Sequence, residues 1–517
     1  MTSKRRLIAI WFWAAVVGAV SGGIFLASAE VVAMIAARDA GPIVAVGSFV
    51  IDVVPRWAKE LAIQLFGVND KLFLLSSLVA VAFFGAAVAS LLELWRRWLG
   101  VALFAVAGLA SLVATVTRAN ASPLGFLPPA VGTVLGALTL RLLIAALRRW
   151  RGSLRDAGVS EGIDRRRFLL LSGAGALVAL VAGVGSQLGQ AASSSIGAIR
   201  RAVRLPPPRS SVHVPAGAEL RIPGLSPLFT PNSDFYRVDT ALTVPAVDPA
   251  TWRLTLDGMV ERRIEFSFQD LLRMGLREYA ITMTCVSNEV GGNLVGNARW
   301  LGVPVRDLLA LARPRNGADM VLSRSVDGFT ASTPLNALTD PLRDAILAVG
   351  MNGEPLPLEH GFPVRMVVPG LYGYVSATKW LTELKVTTFA ADQAYWTPRG
   401  YSSQAPIKLS SRIDTPRLDK AIPAGRTTIA GVAWAQTVGI RQVEVQIDDG
   451  EWVKAALSTP ISNDSWVQWS LDWNAVSGSH TLGVRATDRA GRLQQQTRTA
   501  IAPNGSAGWQ HTLVRVE

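Results

Sequence analysis

Apolar residues crowd so densely between Met1 and Gln190 of this 517-residue chain that the region cannot be an ordinary globular domain. Four stretches, Leu7 to Ala29, Leu72 to Leu94, Trp98 to Thr117 and Leu124 to Leu147, match the ~20 helical residues that cross a hydrocarbon core. A fifth runs from Phe168 to Leu188. The segment Pro42 to Val54 is apolar but short, and Asp39, Asp52 and Arg56 flank it, so it reads as an interfacial or re-entrant helix. Basic clusters belong on the cytoplasmic side of a membrane. With Lys4, Arg5 and Arg6 inside, four spans return both Arg96/Arg97 and Arg148 to Arg155 to that side. The fifth span then delivers everything after it to the outside, so a multi-pass cell-membrane protein with an extracytoplasmic C-terminal part is expected.

The fifth span opens with Asp164-Arg165-Arg166-Arg167-Phe168-Leu169 and continues through the glycine-containing run Leu170 to Gly185. This resembles a twin-arginine export signal set inside the chain; a stop-transfer helix with basic flanks is the plainer alternative. The twin-arginine route carries proteins already folded around a cofactor, so that signal predicts one downstream. No A-x-A cleavage site follows, and the span is expected to be retained as an anchor. The net charge of +13 is carried largely by arginines beside apolar segments, where they act as topology signals rather than as a nucleic-acid surface. A single cysteine leaves an exported domain to rely on its core, with no intramolecular disulfide.

Residues 191–224, with the Ser/Ala-rich run Ala191 to Ser195 and Leu205-Pro206-Pro207-Pro208, read as a linker. Over 225–409 short apolar runs alternate with helical patterns at Phe268 to Met274 and Val305 to Ala312, the mark of a mixed α+β domain. Over 410–517 the pattern becomes strands and tight turns. Val443, Val445 and Ile447 alternate with polar residues before Asp448-Asp449-Gly450, and another strand precedes Asp488-Arg489-Ala490-Gly491. A small β-sandwich fits that pattern.

Cys285 stands at the end of the β-type run Ile281-Thr282-Met283-Thr284, before the glycine-rich loop Glu289-Val290-Gly291-Gly292-Asn293. A thiolate at a strand end beside a flexible loop suits a transition-metal ligand, although a buried cysteine more often serves as a small hydrophobe. There is no GxxxxGK[ST], HExxH or CxxC pattern, and one cysteine with four scattered histidines is a poor zinc set. All four histidines (His213, His360, His480, His511) follow the last span, so the membrane part holds no bis-histidine haem site.

The segment Met351-Asn352-Gly353-Glu354-Pro355-Leu356-Pro357, continuing through His360-Gly361-Phe362-Pro363-Val364-Arg365 to Val368-Pro369-Gly370 and Lys379-Trp380, resembles the sulfite oxidase family of molybdopterin enzymes. The resemblance extends over Phe229 to Glu517. It implies that His360, Arg365 and Lys379 contact the pterin and its phosphate, and that Cys285, followed three residues later by Asn288, is the molybdenum ligand, with Asn288 at the cofactor. Arg299-Trp300 and Gly302 are also in pattern. Tyr395-Trp396-Thr397-Pro398-Arg399-Gly400-Tyr401 is similar to the segment that carries the family's active-site tyrosine, here Tyr401 beside Arg399. The implied architecture is multi-domain: an N-terminal α-helical transmembrane region, an α+β sulfite-oxidase-like molybdopterin domain, and a C-terminal immunoglobulin-like β-sandwich of the kind that forms homodimers. The implied cofactor is molybdenum-molybdopterin (Moco).

The chain departs from the family at two places. Sulfite oxidases carry an Arg-Asn-His stretch where this chain has Phe235-Tyr236-Arg237-Val238-Asp239, and arginines where it has Glu289 and Val290. Fewer cations and an added carboxylate weaken binding of a dianion. One reading is therefore oxidation of sulfite or a related small sulfur compound, with Arg237, Arg399 and Arg441 as the anion pocket. The other is reduction of an S-oxide or N-oxide, and the pocket residues favour neither. A third, from another class, is a membrane-tethered binding or scaffold protein. No c-type haem motif or cysteine cluster is present, so an external electron carrier, a soluble cytochrome or a membrane haem protein, is implied.

Overall fold

The computed structural model describes residues 3–517 except 37–39, 56–57, 59–60, 62–64, 67–69, 118–121, 154–160, 190 and 418–419. Asp39, Arg56 and Arg155, which enter the topology argument above, lie outside the described residues. The chain divides into two compact units, one of residues 1–195 with 240–244, the other of 196–239 with 245–517.

The first unit is helical: α1 (Ser3–Ala36), α2 (Pro42–Val53), α3 (Asp70–Trp95), α4 (Leu99–Val116), α5 (Leu127–Ser153) and α6 (Glu161–Gly189). Among the described residues four helices are long and apolar enough to cross a membrane, over Ala9–Ala36, Lys71–Trp95, Leu99–Val116 and Leu127–Arg151. The fifth expected span lies within α6, where the side chains of 181–189 are outside the described set. Gly18 lets α1 and α3 touch, since a Cβ there would sit 2.4 Å from the Ala86 carbonyl oxygen. Phe168, fully buried, makes ring contacts with Trp13 at 5.7 Å and Trp150 at 5.5 Å. The buried Glu93 carboxylate accepts from the Trp98 and Gly100 N–H groups, each at 3.1 Å, and so satisfies orphan donors at the start of α4. Phe84, Trp95 and Leu142 project outward, an apolar surface that water would not tolerate but hydrocarbon would.

Residues 191–202, expected as irregular linker, form a helix instead (α7, Ala191–Ala202). Alanine is the strongest helix former, and the prolines that stop the helix come only at Pro206–Pro208.

The second unit is β-rich. One sheet, in the order β2-β1-β10-β5-β6, combines β1 (Arg253–Gly258), β2 (Ile264–Ser267), β5 (Met320–Ser325), β6 (Thr330–Pro334) and β10 (Leu381–Thr387). Its β1/β10 pair is parallel and its other pairs antiparallel. A second sheet runs β3 (Arg277–Thr284), β4 (Val295–Pro304), β7 (Ile346–Met351), β8 (Glu354–Pro355), with β9 (Arg365–Val367) also paired to β7. The expected helices form as α8 (Phe268–Arg273) and α9 (Val305–Ala312), joined by the short α10 (Leu335–Thr339). Ser267 and Asp270 make a reciprocal capping box that starts α8. Leu254, Leu256, Leu271, Leu308, Val321 and Leu384 fill the first core, while Phe235, Trp300, Phe362 and Met351 fill another behind β3 and β4.

Over 410–517 two antiparallel four-stranded sheets share one core. They run β11-β12-β16-β15 and β14-β13-β17-β18, with β11 (Ser410–Thr415), β12 (Gly425–Trp434), β13 (Ile440–Ile447), β14 (Val453–Lys454), β15 (Ala456–Leu457), β16 (Val467–Ala475), β17 (Gly478–Asp488) and β18 (Gln510–Val516). The alternation read from sequence places Val443 and Val445 inside, against Ile429, Trp469 and Leu482. The turn after β13 has Asp448 at φ 53, a left-handed conformation that aspartate tolerates.

Candidate active site

Cys285 is the first residue past β3. Its N–H donates to the Leu294 carbonyl at 2.9 Å, closing a loop that leaves one antiparallel strand and enters the next at Val295. The loop is braced from within: the Asn288 N–H donates to the Cys285 carbonyl at 3.0 Å, and the Asn288 side-chain oxygen accepts from the Leu294 N–H at 2.8 Å. The Cys285 thiol is 7% exposed. Burial pushes its pKa up, against the Ser287 N–H at 3.4 Å and the positive charge of Lys379. Tyr236 and Tyr372 lie close enough to feel a charge on this sulfur.

Three basic side chains converge on the same buried region. His360 and Arg365 come from the segment leading into β9, where Gly361 takes φ 108 and turns the chain between them. Arg365 donates to the His360 carbonyl at 3.2 Å and lies over the Trp300 ring at 5.1 Å. The His360 ring contacts Phe235 edge-on and bonds through Nε2 to the Asn232 carbonyl at 3.1 Å. Lys379 Nζ donates to Asp239 and to the Glu359 carbonyl, both at 2.9 Å. Burial lowers all three, His360 to about 3, Arg365 to about 10 and Lys379 to about 8, and the neighbouring cations add to the shift at His360 and Lys379. Asp239 holds Lys379 up and also takes both edges of Arg237, through Nε at 2.9 Å and Nη2 at 3.3 Å.

The cluster therefore gathers Arg237, Cys285, His360, Arg365 and Lys379, with Asn288 bracing the loop. Arg399 and Tyr401 fall in an aromatic group beside it: the Arg399 guanidinium covers the Tyr395 ring at 3.7 Å, and Tyr401 packs on Tyr374 at 5.5 Å and Trp396 at 5.2 Å. Tyr374 in turn feels the charge of Tyr372, which feels that of the Cys285 sulfur. Arg441 is exposed on β13. Sequence reasoning missed Tyr236, Asp239 and Tyr372. The first two flank Arg237 in the stretch that departs from the family, and Tyr372 follows Pro369-Gly370, so the local signal was present without a spacing rule to read it.

A family profile for the oxidoreductase molybdopterin binding domain matches residues 241–396. Mitochondrial sulfite oxidase of Homo sapiens is 30% identical over 324 residues, covering 53% of this chain and 58% of that protein. Inducible nitrate reductase [NADH] 2 of Glycine max is 28% identical over 317 residues, covering 49% of this chain and 35% of that protein. The crystal structure of the sulfane dehydrogenase SoxCD from Paracoccus pantotrophus aligns with a TM-score of 0.48 at 24% identity, over 56% of this chain and 83% of that one. The chain thus spans less than two thirds of the length of the mammalian relatives it matches. The matched domain is an oxidoreductase domain, which removes the ground for a non-catalytic scaffold.

The buried groups fit a molybdopterin. His360, Arg365 and Lys379 are all under a tenth exposed, yet one carboxylate, Asp239, faces them. His360 Nδ1 and Arg365 Nε have no protein partner. Neutral His360 gives its one N–H to the Asn232 carbonyl, so its Nδ1 is a spare acceptor and Arg365 Nε a spare donor. Buried polar groups are normally satisfied, and these two, with the positive charge of Arg365, Lys379 and Arg237, suit an anionic group that both donates and accepts. A buried soft thiol beside them suits the metal.

Proposed function

Because the chain belongs to the sulfite oxidase family of molybdenum-dependent oxidoreductases, we propose that it transfers an oxygen atom to or from a small sulfur compound, in the manner of sulfite oxidation. The observation that carries this reading is that the buried Cys285 thiol feels the charge of Lys379, which clusters in turn with the buried His360 and Arg365. Cys285 would bind the metal, while His360, Arg365 and Lys379 would hold the pterin and its phosphate. When bound, the cofactor supplies two-electron oxygen-atom exchange. Asn288 keeps the ligand loop closed, and its place at the cofactor is an extension of that role. Arg237 and Arg399 orient substrate oxygens, and Tyr401 supplies a hydrogen bond or proton.

A second reading, reduction of a neutral S-oxide or N-oxide, is favoured by Asp239. Its carboxylate is 6% exposed and already occupies Arg237, so an incoming dianion meets a cation that is partly neutralised. The two readings separate by assaying the pure enzyme with sulfite and an oxidised acceptor, then with dimethyl sulfoxide or trimethylamine N-oxide and a reduced donor. Turnover in neither direction would end the oxygen-transfer reading.

The remaining placements follow from sequence and packing. We read the apolar helices as a membrane anchor with the catalytic domain extracytoplasmic, exported through the twin-arginine-like segment. Burial of Phe168 between Trp13 and Trp150 supports retention of α6, since cleavage after it would leave a packed helix behind. Two antiparallel sheets around one core support an immunoglobulin-like C-terminal domain, with a homodimer as its proposed assembly. Electrons leave through an external carrier, a soluble cytochrome or membrane haem protein.

A further inference from the structure

The loop that carries Cys285 has two consecutive glycines, Gly291 and Gly292, with Gly291 at φ 82, and a segment of that composition has many conformations to lose. Its carbonyl groups at alternate positions are each taken by a side chain from the C-terminal region. Ser506 Oγ donates to Asn288 O at 2.6 Å, Arg498 Nη2 to Val290 O at 3.3 Å, and Arg412 Nη1 to Gly292 O at 2.9 Å. Arg412 is itself fixed. It is 8% exposed, with Nε on Asp414 at 2.6 Å and Nη2 on the Ser226 hydroxyl at 2.8 Å, so a rigid fork presents its remaining donor to the loop.

The strand leading into Cys285 is held from the same side. β3 is the edge of its sheet. The Thr282 N–H on that edge donates to the Asp464 carbonyl at 2.9 Å, the Thr282 hydroxyl accepts from the Trp466 N–H at 2.8 Å, and the Gln436 amide donates to the Thr282 carbonyl. An edge strand followed by a glycine loop is the least constrained place in a β domain for a ligand.

We propose that the C-terminal sheets are a working part of the metal site, with Ser506, Arg498 and Arg412 acting as positioning residues that fix the loop and hence the direction of the Cys285 thiol. The proposal rests on Cys285 being the molybdenum ligand. It differs from the family reading of this region as an assembly domain, because it gives individual side chains a task at the metal.

The test uses full-length, molybdenum-loaded protein in detergent. Ser506→Ala combined with Arg498→Ala removes two of the three donors without burying a charge. Ser506→Thr keeps the hydroxyl and serves as the rescue. Hydrogen exchange over 285–294 should rise about tenfold in the double variant while β11 to β18 stay protected. The electron paramagnetic resonance signal of the half-reduced metal should shift or broaden, and Ser506→Thr should resemble the parent in both readouts. Unchanged loop exchange with an unchanged metal signal would overturn the proposal. So would loosening of the C-terminal sheets themselves, since that is the mark of a merely structural role. Absence of molybdenum from the parent would overturn the ligand assignment instead, while the exchange measurement would still report on the grip.

Discussion

The cofactor-binding half of the second unit and its C-terminal sheets both bury ionisable side chains, but they do so in opposite ways. In the C-terminal sheets a buried charge meets its counter-charge: Arg412 pairs with Asp414 at 2.6 Å, Arg485 with Glu444 at 2.9 Å, and the enclosed Asp488 with Arg492 at 2.8 Å. Around Cys285, by contrast, Asp239 pairs with Lys379 but not with Arg365 or His360, and one nitrogen on each of those two has no protein partner. Desolvating a charge without a partner costs several kcal/mol. Such a site persists only if something else compensates, so paired charge marks framework and surplus charge marks a binding site. The Cys285 loop lies where the two regimes meet.

Exchanging each arginine for a neutral residue of similar reach breaks the comparison most sharply. Arg412→Met leaves the buried Asp414 without its counter-charge, held only by the Ser226 N–H at 3.0 Å, and should destabilise the protein by about 3–5 kcal/mol in urea unfolding. Arg365→Met removes a charge that lacks a close carboxylate, so the apoprotein should change by about 1 kcal/mol or less, while bound molybdenum falls steeply. Equal losses of stability at the two sites would remove the distinction.

Asp239→Asn sharpens the same contrast from the other side. With the carboxylate gone, Arg237 faces the substrate unneutralised, and affinity for sulfate should rise about tenfold, ~1.4 kcal/mol. Competitive inhibition or direct calorimetry reads this out, and an unchanged affinity would mean that Arg237 does not face the substrate. Tyr401→Phe should have a smaller effect, slowing turnover severalfold with molybdenum retained, because Tyr372 feels the charge of the thiol while Tyr401 packs on Tyr374 and Trp396. A larger loss than that of Tyr372→Phe would reverse their order.

The smallest effect concerns Asp464, where the C-terminal sheets touch β3. Burial raises its carboxyl to about 6, against the Thr437 N–H bond at 3.0 Å. A folded value above the unfolded one contributes stability that is full below about 4 and lost as pH rises through about 6. The Asp464→Asn variant should therefore match the parent near pH 4 and exceed it by about 1 kcal/mol at pH 8, reduced from the full linkage because the group is partly solvated. A pH-independent difference would contradict that burial.

Much of this was legible in the sequence. Runs such as Leu72 to Leu94 admit few structures other than a spanning helix, and the alternation around Val443 to Ile447 gives strand and face together. His360, Arg365 and Lys379 could be named as candidates because they sit in one long motif, and Cys285 because it ends a β-type run with Asn288 three residues on. Asp239 was visible as a departure but not as a partner, because its two ion pairs join residues up to 140 positions apart in the sequence. The helix at Ala191–Ala202 was missed because small polar residues were weighed over alanine's helix propensity. The grip of Arg412 on Gly292, across 120 residues, has no local signature at all.

The most direct measurement is the molybdenum content of detergent-purified protein made in a pterin-competent host, beside the Cys285→Ser variant. About one molybdenum per chain in the parent, with the metal lost or its resonance signal altered and activity abolished in a variant that unfolds at the same temperature, is the expected result. Molybdenum absent from the parent, or a fully active Cys285→Ser protein, would contradict the account at its centre.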